Sequence, residues 1–457
     1  MGGSAKAKKT EAIEKNASCC VLISYLIFVT AVKILPGAAR DPNITITIAT
    51  LLFAAASFFI GYFPLELISL TIPVVLALSG VLSAVEAFRS FSDPTIIIFG
   101  GMFVVGGAMF HTGLAGRIAW FVLEKTGGRR LNVCIAVMAI TAAMSAFLSN
   151  TGTCALLLPI VCAICDTSGW PRKSLLFPMA VMCSAGGMVT MVGTPPNITV
   201  NSVLQQFGYE PIRFFDFAVF GIPMSLMALV FFGAVEWLTA KNGTDMACVQ
   251  AMGQTVGGPL EKKQIIAGLV LIGVVAAMAT GMVNLSVAAV GGAIICVFTG
   301  ILTKQEAYEA IDFGVLFLFA GALSLSVALD TSGAGVMISN IVVEVFHERL
   351  SPITLITLIF VVTNLMTQFM SNTACCALMA PLGIEIALNL GISPYPIMAT
   401  IALASSAAFA TPVATPPNTM VAGPAKMSFK HFLLMGVPLN LMAYGITVLL
   451  IPRFWKF

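Results

Sequence analysis

The chain has 457 residues, of which 58% are hydrophobic and 9% charged; 23 basic and 20 acidic side chains leave a net charge of +3. Soluble domains carry about 25% charged residues, so there is too little charge here for a water-facing surface and too much apolar length for one buried core. Soluble enzymes, disordered chains, coiled coils and nucleic-acid binders are excluded together, which leaves an all-α polytopic membrane protein embedded in a lipid bilayer.

Residues 1–18 form a polar tail with Lys6, Lys8, Lys9 and Lys15. A helix needs about 20 apolar residues to cross a bilayer core, and 19–36 is the first such run. A signal peptide would follow its apolar region with a small-residue cleavage site. Lys33 and Leu35-Pro36 stand there instead, so the span is retained and a loop leads on to residue 45. Spans follow at 46–62, 66–84 and 95–112. The amphipathic segment 113–130 fits a helix lying along the membrane surface. The apolar stretch 131–165 is interrupted by Ser149-Asn150-Thr151, leaving arms of about 15–18 residues. A re-entrant hairpin and a pair of short spans both fit it. The span 175–203 contains Gly193-Thr194-Pro195-Pro196-Asn197, and 214–238 is uninterrupted.

A polar linker, 239–263, ends in Glu261-Lys262-Lys263, and the order then begins again. Spans at 264–280, 284–302 and 313–330 precede an amphipathic 331–350. The stretch 352–388 is interrupted by Ser371-Asn372-Thr373. The span 395–421 carries Ala414-Thr415-Pro416-Pro417-Asn418, and 431–452 is the last. Eleven spans and two re-entrant hairpins result. With the N-terminus in the cytoplasm, sixteen of the 23 Lys and Arg fall on the cytoplasmic side, as the positive-inside tendency requires. The expected location is the cell membrane, crossed many times.

The Ser-Asn-Thr segments match at an offset of 222, the Thr-Pro-Pro-Asn segments at 221, and Glu86-Ala87-Phe88 matches Glu306-Ala307-Tyr308 at 220. Residues 46–238 and 264–452 are therefore two repeats, each with five spans and one hairpin. An odd number of crossings turns the second copy upside down, the inverted-repeat design of secondary transporters.

Successive prolines break a helix, and unwound backbone at membrane depth persists only where it lines a cavity or is buried in protein. Such breaks offer helix N-termini to anions and free carbonyls to small cations such as sodium. No Lys, Arg or His lies in the four motifs. The only charged residue between 131 and 171 is Asp166, and between 351 and 425 it is Glu385. A dianion desolvated there needs cations beside it, and hydroxyl, amide and carbonyl oxygens suit hard cations. The residues themselves point to cation-coupled anion uptake.

Asp166, Glu385, Asp330 and His111 fall near predicted membrane boundaries and read as solvated. Gly100-Gly101 and Gly106-Gly107 read as close helix packing. Ten of the eleven cysteines, all but Cys248, lie in or beside apolar segments, where they act as small hydrophobes. An intramembrane hydrolase using Ser149 or Ser371 would need a base, and none stands at a partnering position, so no enzyme is expected. A channel would not require paired broken helices.

In these four motifs, and over almost the whole chain, the sequence resembles the divalent anion/sodium symporter family. That group includes the INDY-type dicarboxylate transporters and the sodium-dependent citrate and sulfate carriers. The resemblance implies a homodimer with a scaffold domain and a moving transport domain that works as an elevator. It implies substrate contacts at Ser149, Asn150, Thr151, Ser371, Asn372 and Thr373, with Thr194, Pro195, Thr415 and Pro416 nearby. One co-transported sodium ion would be held by Ser145, Ser149, Asn150 and the Gly193 carbonyl, and its symmetry mate by Thr367, Met370, Asn372 and Ala414. Gly152, Cys375 and Cys376 depart from the family pattern and leave C4-dicarboxylate, citrate and sulfate open. Family exchangers tend to carry a basic residue where symporters hold sodium; none stands in these motifs, which favours symport of a dicarboxylate such as succinate over sodium-independent exchange.

Overall fold

The computed structural model describes residues 19–33, 41–60, 63–124, 129–239, 260–280, 282–346 and 351–457. The basic tail, most of the linker 239–263 and the end of the amphipathic segment 331–350 lie outside the described residues. Among those described, the chain is helical and no strand occurs. Helix α1 is Cys19–Lys33. The first half continues with α2 Pro42–Ile60, α3 Leu65–Leu78, α4 Ala84–Arg89, α5 Pro94–His111, α6 Leu114–Glu124, α7 Arg130–Ser145, α8 Asn150–Thr167, α9 Lys173–Gly187, α10 Pro195–Gln206 and α11 Ala218–Thr239. The second half has α12 Lys262–Thr280, α13 Leu285–Phe298, α14 Lys304–Ala310, α15 Phe313–Ser332, α16 Ala334–Phe346, α17 Pro352–Thr367, α18 Asn372–Leu390, α19 Tyr395–Ser406, α20 Pro416–Ala422 and α21 Phe429–Phe454.

Each helix from α2 to α11 thus has a counterpart ten places later. Local chemistry explains several of these matching starts. Ser83 and Thr303 cap α4 and α14, each in a capping box with a Glu three residues on, which satisfies two orphan donors at once. Among the described residues, six segments are by length and composition long and apolar enough to cross a membrane: Ala84–His111, Ala218–Leu238, Lys262–Thr280, Phe313–Ser332, Asn372–Leu390 and Phe429–Phe454. Others come out shorter than hydropathy predicts. The expected 66–84 and 284–302 stop at the turns Ser79-Gly80 and Thr299-Gly300, while 175–203 and 395–421 divide at their breaks.

The halves interlock through reciprocal contacts: α5 packs on α13 as α15 packs on α3, and α10 packs on α18 as α20 packs on α8. The first pair of crossings is close enough to require glycine. A Cβ on Gly101 would come within 2.8 Å of three Ala289 atoms, and one on Gly321 would overlap the Ser69 backbone. Ala289 and Ser69 hold equivalent positions in α13 and α3. Elsewhere the core is aromatic, with buried Phe177 meeting Phe232 and Phe432 edge-on at 5.7 and 5.1 Å.

Candidate functional site

Both Ser-Asn-Thr segments are helix starts. Ser149 and Ser371 are the N-caps of α8 and α18, and their hydroxyls accept from Gly152 N and Ala374 N, each at 3.1 Å. A serine at this position satisfies a free N–H of the first turn, so the chain can end α7 or α17 and restart within four residues. The resulting turns are called tip 1 and tip 2 below. Thr194 and Thr415 take extended backbone as N-caps of α10 and α20, with Pro at the first helical positions, where a missing N–H costs nothing. The asparagine of each Thr-Pro-Pro-Asn closes the break. Asn197 Nδ2 donates to the Thr190 carbonyl at 2.8 Å, and Asn418 Nδ2 to the Thr411 carbonyl at 2.9 Å. Thr190 and Thr411 then bond the tip carbonyls of Ala146 and Gln368.

Each break also reaches the opposite tip helix. The Cys154 thiol donates to the Pro417 carbonyl at 3.8 Å, and the Cys376 thiol to that of Pro196 at 3.6 Å. All four motifs therefore form one bonded assembly. The signal for these contacts is the cysteine pair at the 222 offset, which reads as mere apolar filling until the helices are placed.

In the first half, Ser145, Asn150 and Gly193 come together. Asn150 is buried, and with its carboxamide turned so that donors meet acceptors, its nitrogen donates to Ser145 Oγ at 2.7 Å, the Cys183 carbonyl at 2.9 Å and the Gly193 carbonyl at 3.0 Å. Ser145 Oγ donates in turn to the Cys183 carbonyl at 2.6 Å. A half-turn of the carboxamide aims Oδ1 at the same point, which would then be faced by four oxygens from four residues, a donor set for a hard cation. Cys183 enters through its carbonyl, which no side-chain pattern announces. A Cβ on Gly187 would overlap the Asn150 carboxamide and lie 2.9 Å from the Gly193 carbonyl. Buried Thr194 Oγ1 lacks a hydrogen-bond partner among the described residues. Ser149 lies on the other side of the tip, half-buried, with Thr151 exposed and Pro195 partly covered.

The second half departs from this arrangement. Thr367 Oγ1 donates to the Ser405 carbonyl at 2.7 Å, as Ser145 does to Cys183. Asn372, however, accepts from Thr373 N at 3.0 Å, on its own helix. Two buried amides stand where the first half has Ala142 and Ala146. Asn364 Nδ2 donates to the Ala404 and Ala407 carbonyls at 3.1 and 2.8 Å, and Gln368 Nε2 to that of Ala407 at 3.3 Å. Met370, Thr373, Ala414 and Thr415 are buried, Ser371 is half-buried and Pro416 is exposed.

A cavity of about 220 Å³ separates tip 1 from α5, lined by Ser149 and Gly152 on one side and Phe103, Phe110 and His111 on the other. On the second side, α18 packs directly along α15 and α16. Of the boundary residues, Asp166 is exposed and bonds Arg172 in a two-pronged pair at 2.7 and 2.5 Å. Glu385 corrects the sequence reading: it is 4% exposed and packs on Gly335, because lateral helix packing covers a position that hydropathy places at the membrane edge.

The chain was compared with known proteins. The profile of the family described as "Citrate transporter" matches residues 48–387 and again 348–456. An uncharacterized transporter of Haemophilus influenzae is 28% identical over 454 residues, covering 95% of this chain and 96% of its own. The sodium-dependent dicarboxylate transporter SdcS of Staphylococcus aureus is 26% identical over 433 residues, covering 85% and 81%. The crystal structure of the Alcanivorax borkumensis YdaH transporter matches with a TM-score of 0.59 over 90% of this chain and 98% of that one, at 14% identity, a likeness of fold. The family and these relatives are transporters, not enzymes.

Proposed function

Because the chain belongs to the citrate transporter family of membrane transporters, we propose that it is a sodium-coupled symporter of a small dianion, most simply a C4-dicarboxylate such as succinate. The observation that carries this reading is the convergence of Ser145, Asn150 and the Cys183 and Gly193 carbonyls at tip 1. Sodium there is cargo: its charge offsets that of a carboxylate held at Ser149 and the start of α8. The S. aureus relative, named as a sodium-dependent dicarboxylate transporter, supports the same cargo pair.

In the proposed topology, eleven spans and two re-entrant hairpins form inverted repeats over 46–238 and 264–452 in the cell membrane, with the N-terminus in the cytoplasm. The reciprocal helix contacts agree with such a two-fold relation. The tips and breaks would make up a transport domain that moves as an elevator within a homodimer. Tip 1, with its open cavity, would face the cytoplasm, while tip 2 is covered. The second-half set of Thr367, Met370, Asn372 and Ala414 would hold a second sodium ion only after its amides rearrange.

Purified protein in proteoliposomes tests the reading. Labelled succinate is expected to accumulate under an inward sodium gradient and not under an equal potassium gradient. Equal uptake without sodium would overturn symport in favour of exchange, and sodium-driven uptake of labelled citrate or sulfate without uptake of succinate would reassign the dianion.

A further inference from the structure

The cavity beside tip 1 contains one ionisable side chain, and it comes from none of the four motifs. His111 ends α5 and lines the cavity opposite Ser149. Its Nδ1 stands 3.7 Å from Glu306 Oε1, while Glu306 Oε2 accepts from Thr303 N at 2.7 Å in the capping box of α14. That box fixes the carboxylate, which stands beside the imidazole at ion-pair distance. With Nδ1 on the Glu306 side, the protonated ring keeps its second donor, Nε2–H, for the cavity. Phe110 closes the same wall, its ring so near the tip that a Cβ on Gly152 would lie 2.6 Å from Cε2. The helix-equivalent positions in the second half hold Asp330 and Thr331, so the imidazole of α5 has no counterpart on α15.

We infer that His111 is a specificity-determining residue that binds the distal carboxylate of the substrate across the cavity from Ser149, with Glu306 as its positioning residue. This rests on the dianion reading above. A cavity of about 220 Å³ is smaller than drug-sized pockets of roughly 300–1,000 Å³, which suits a short diacid. Oxygens and N–H groups of tip 1, with sodium, meet one carboxylate; the Nε2–H of the protonated imidazole meets the other. An analogue with one carboxylate leaves that donor unpaired, the kind of loss by which polar sites reject close analogues.

The test uses full-length protein in proteoliposomes under a sodium gradient, with labelled succinate as substrate and unlabelled succinate or butyrate as competitor. Wild type is measured first, and absence of sodium-driven succinate uptake would fail the dianion reading and this inference together. Given wild-type uptake, His111→Ala is expected to raise KM for succinate about tenfold with kcat within about twofold, and to reduce discrimination against butyrate by a similar factor. His111→Gln, which retains an N–H donor, is expected to recover part of both, and Glu306→Gln to show a smaller KM rise. An unchanged KM and unchanged discrimination in His111→Ala would overturn the assignment and leave the dianion reading standing. Should the alanine variant not yield folded protein, His111→Gln decides: a raised KM for succinate with weaker discrimination against butyrate supports the role, and wild-type values of both, or an equal loss for both competitors, overturn it.

Discussion

Tip 1 and tip 2 share a motif, a serine cap and a bond from the preceding helix to a carbonyl of α9 or α19, yet they present different chemistry. At tip 1 the Asn150 carboxamide points into a cluster of oxygens, and Gly187 leaves room for it. At tip 2 Asn372 turns to its own helix, and the Asn364 and Gln368 amides take up the carbonyls at the end of α19. Counted back from Thr-Pro-Pro-Asn, Ala408 replaces Gly187. The covers differ as well: a cavity over one tip, packed helices over the other. One motif set thus occurs twice, and Asn364, Gln368 and Ala408 in place of Ala142, Ala146 and Gly187 go with one oxygen-rich tip and one self-satisfied tip.

The largest effect should separate the two asparagines. Asn150→Ala removes a carboxamide with three oxygen partners, and roughly ten- to hundredfold loss of uptake is expected, with sodium half-saturation rising in step. Asn372→Ala is expected to raise KM for succinate with a smaller rise in sodium half-saturation than Asn150→Ala gives. Sodium titrations of uptake decide, and equal shifts in the two variants would erase the distinction between the tips. Next, Gly187→Ala imposes the second-half residue on the first; its Cβ displaces Asn150, so sodium half-saturation is expected to rise about tenfold. The reverse exchange, Ala408→Gly, should leave it nearly unchanged. Smallest are Cys154→Ala and Cys376→Ala, each removing one thiol–carbonyl contact. Each should lower detergent-state thermal stability by no more than about 1 kcal/mol equivalent, and by similar amounts. A large gap between them would show that the reciprocal contacts are unequal.

Much of this frame was legible in the sequence. The runs at 95–112 and 313–330 became α5 and α15 almost residue for residue, because Pro94 and Asp312 mark their starts. The polar tips and proline breaks fell where serine capping and missing N–H groups dictate. Side-chain commitments were not legible. Whether Asn150 faces the Cys183 carbonyl depends on how α7 meets α9, and a backbone oxygen leaves no trace in residue identity. Glu385 and His111 sit at helix ends that hydropathy assigns to water; only the packing of α16 over one and the cavity beside the other separates their fates. The unequal covering of α8 and α18 is likewise a tertiary fact, invisible in motifs that match almost letter for letter.

The reciprocal crossings have one more consequence. Since α3 lies against α15 and α13 against α5, neither half owns a complete core, and each is the other's folding partner. The two halves are in effect partners that happen to share a peptide chain. The linker between Thr239 and Lys262 sets their stoichiometry at one to one; the interlocked helices hold them together. Cutting that linker would sever the gene product without severing the protein, and a single half would have to find a second copy of itself to bury the same glycine faces.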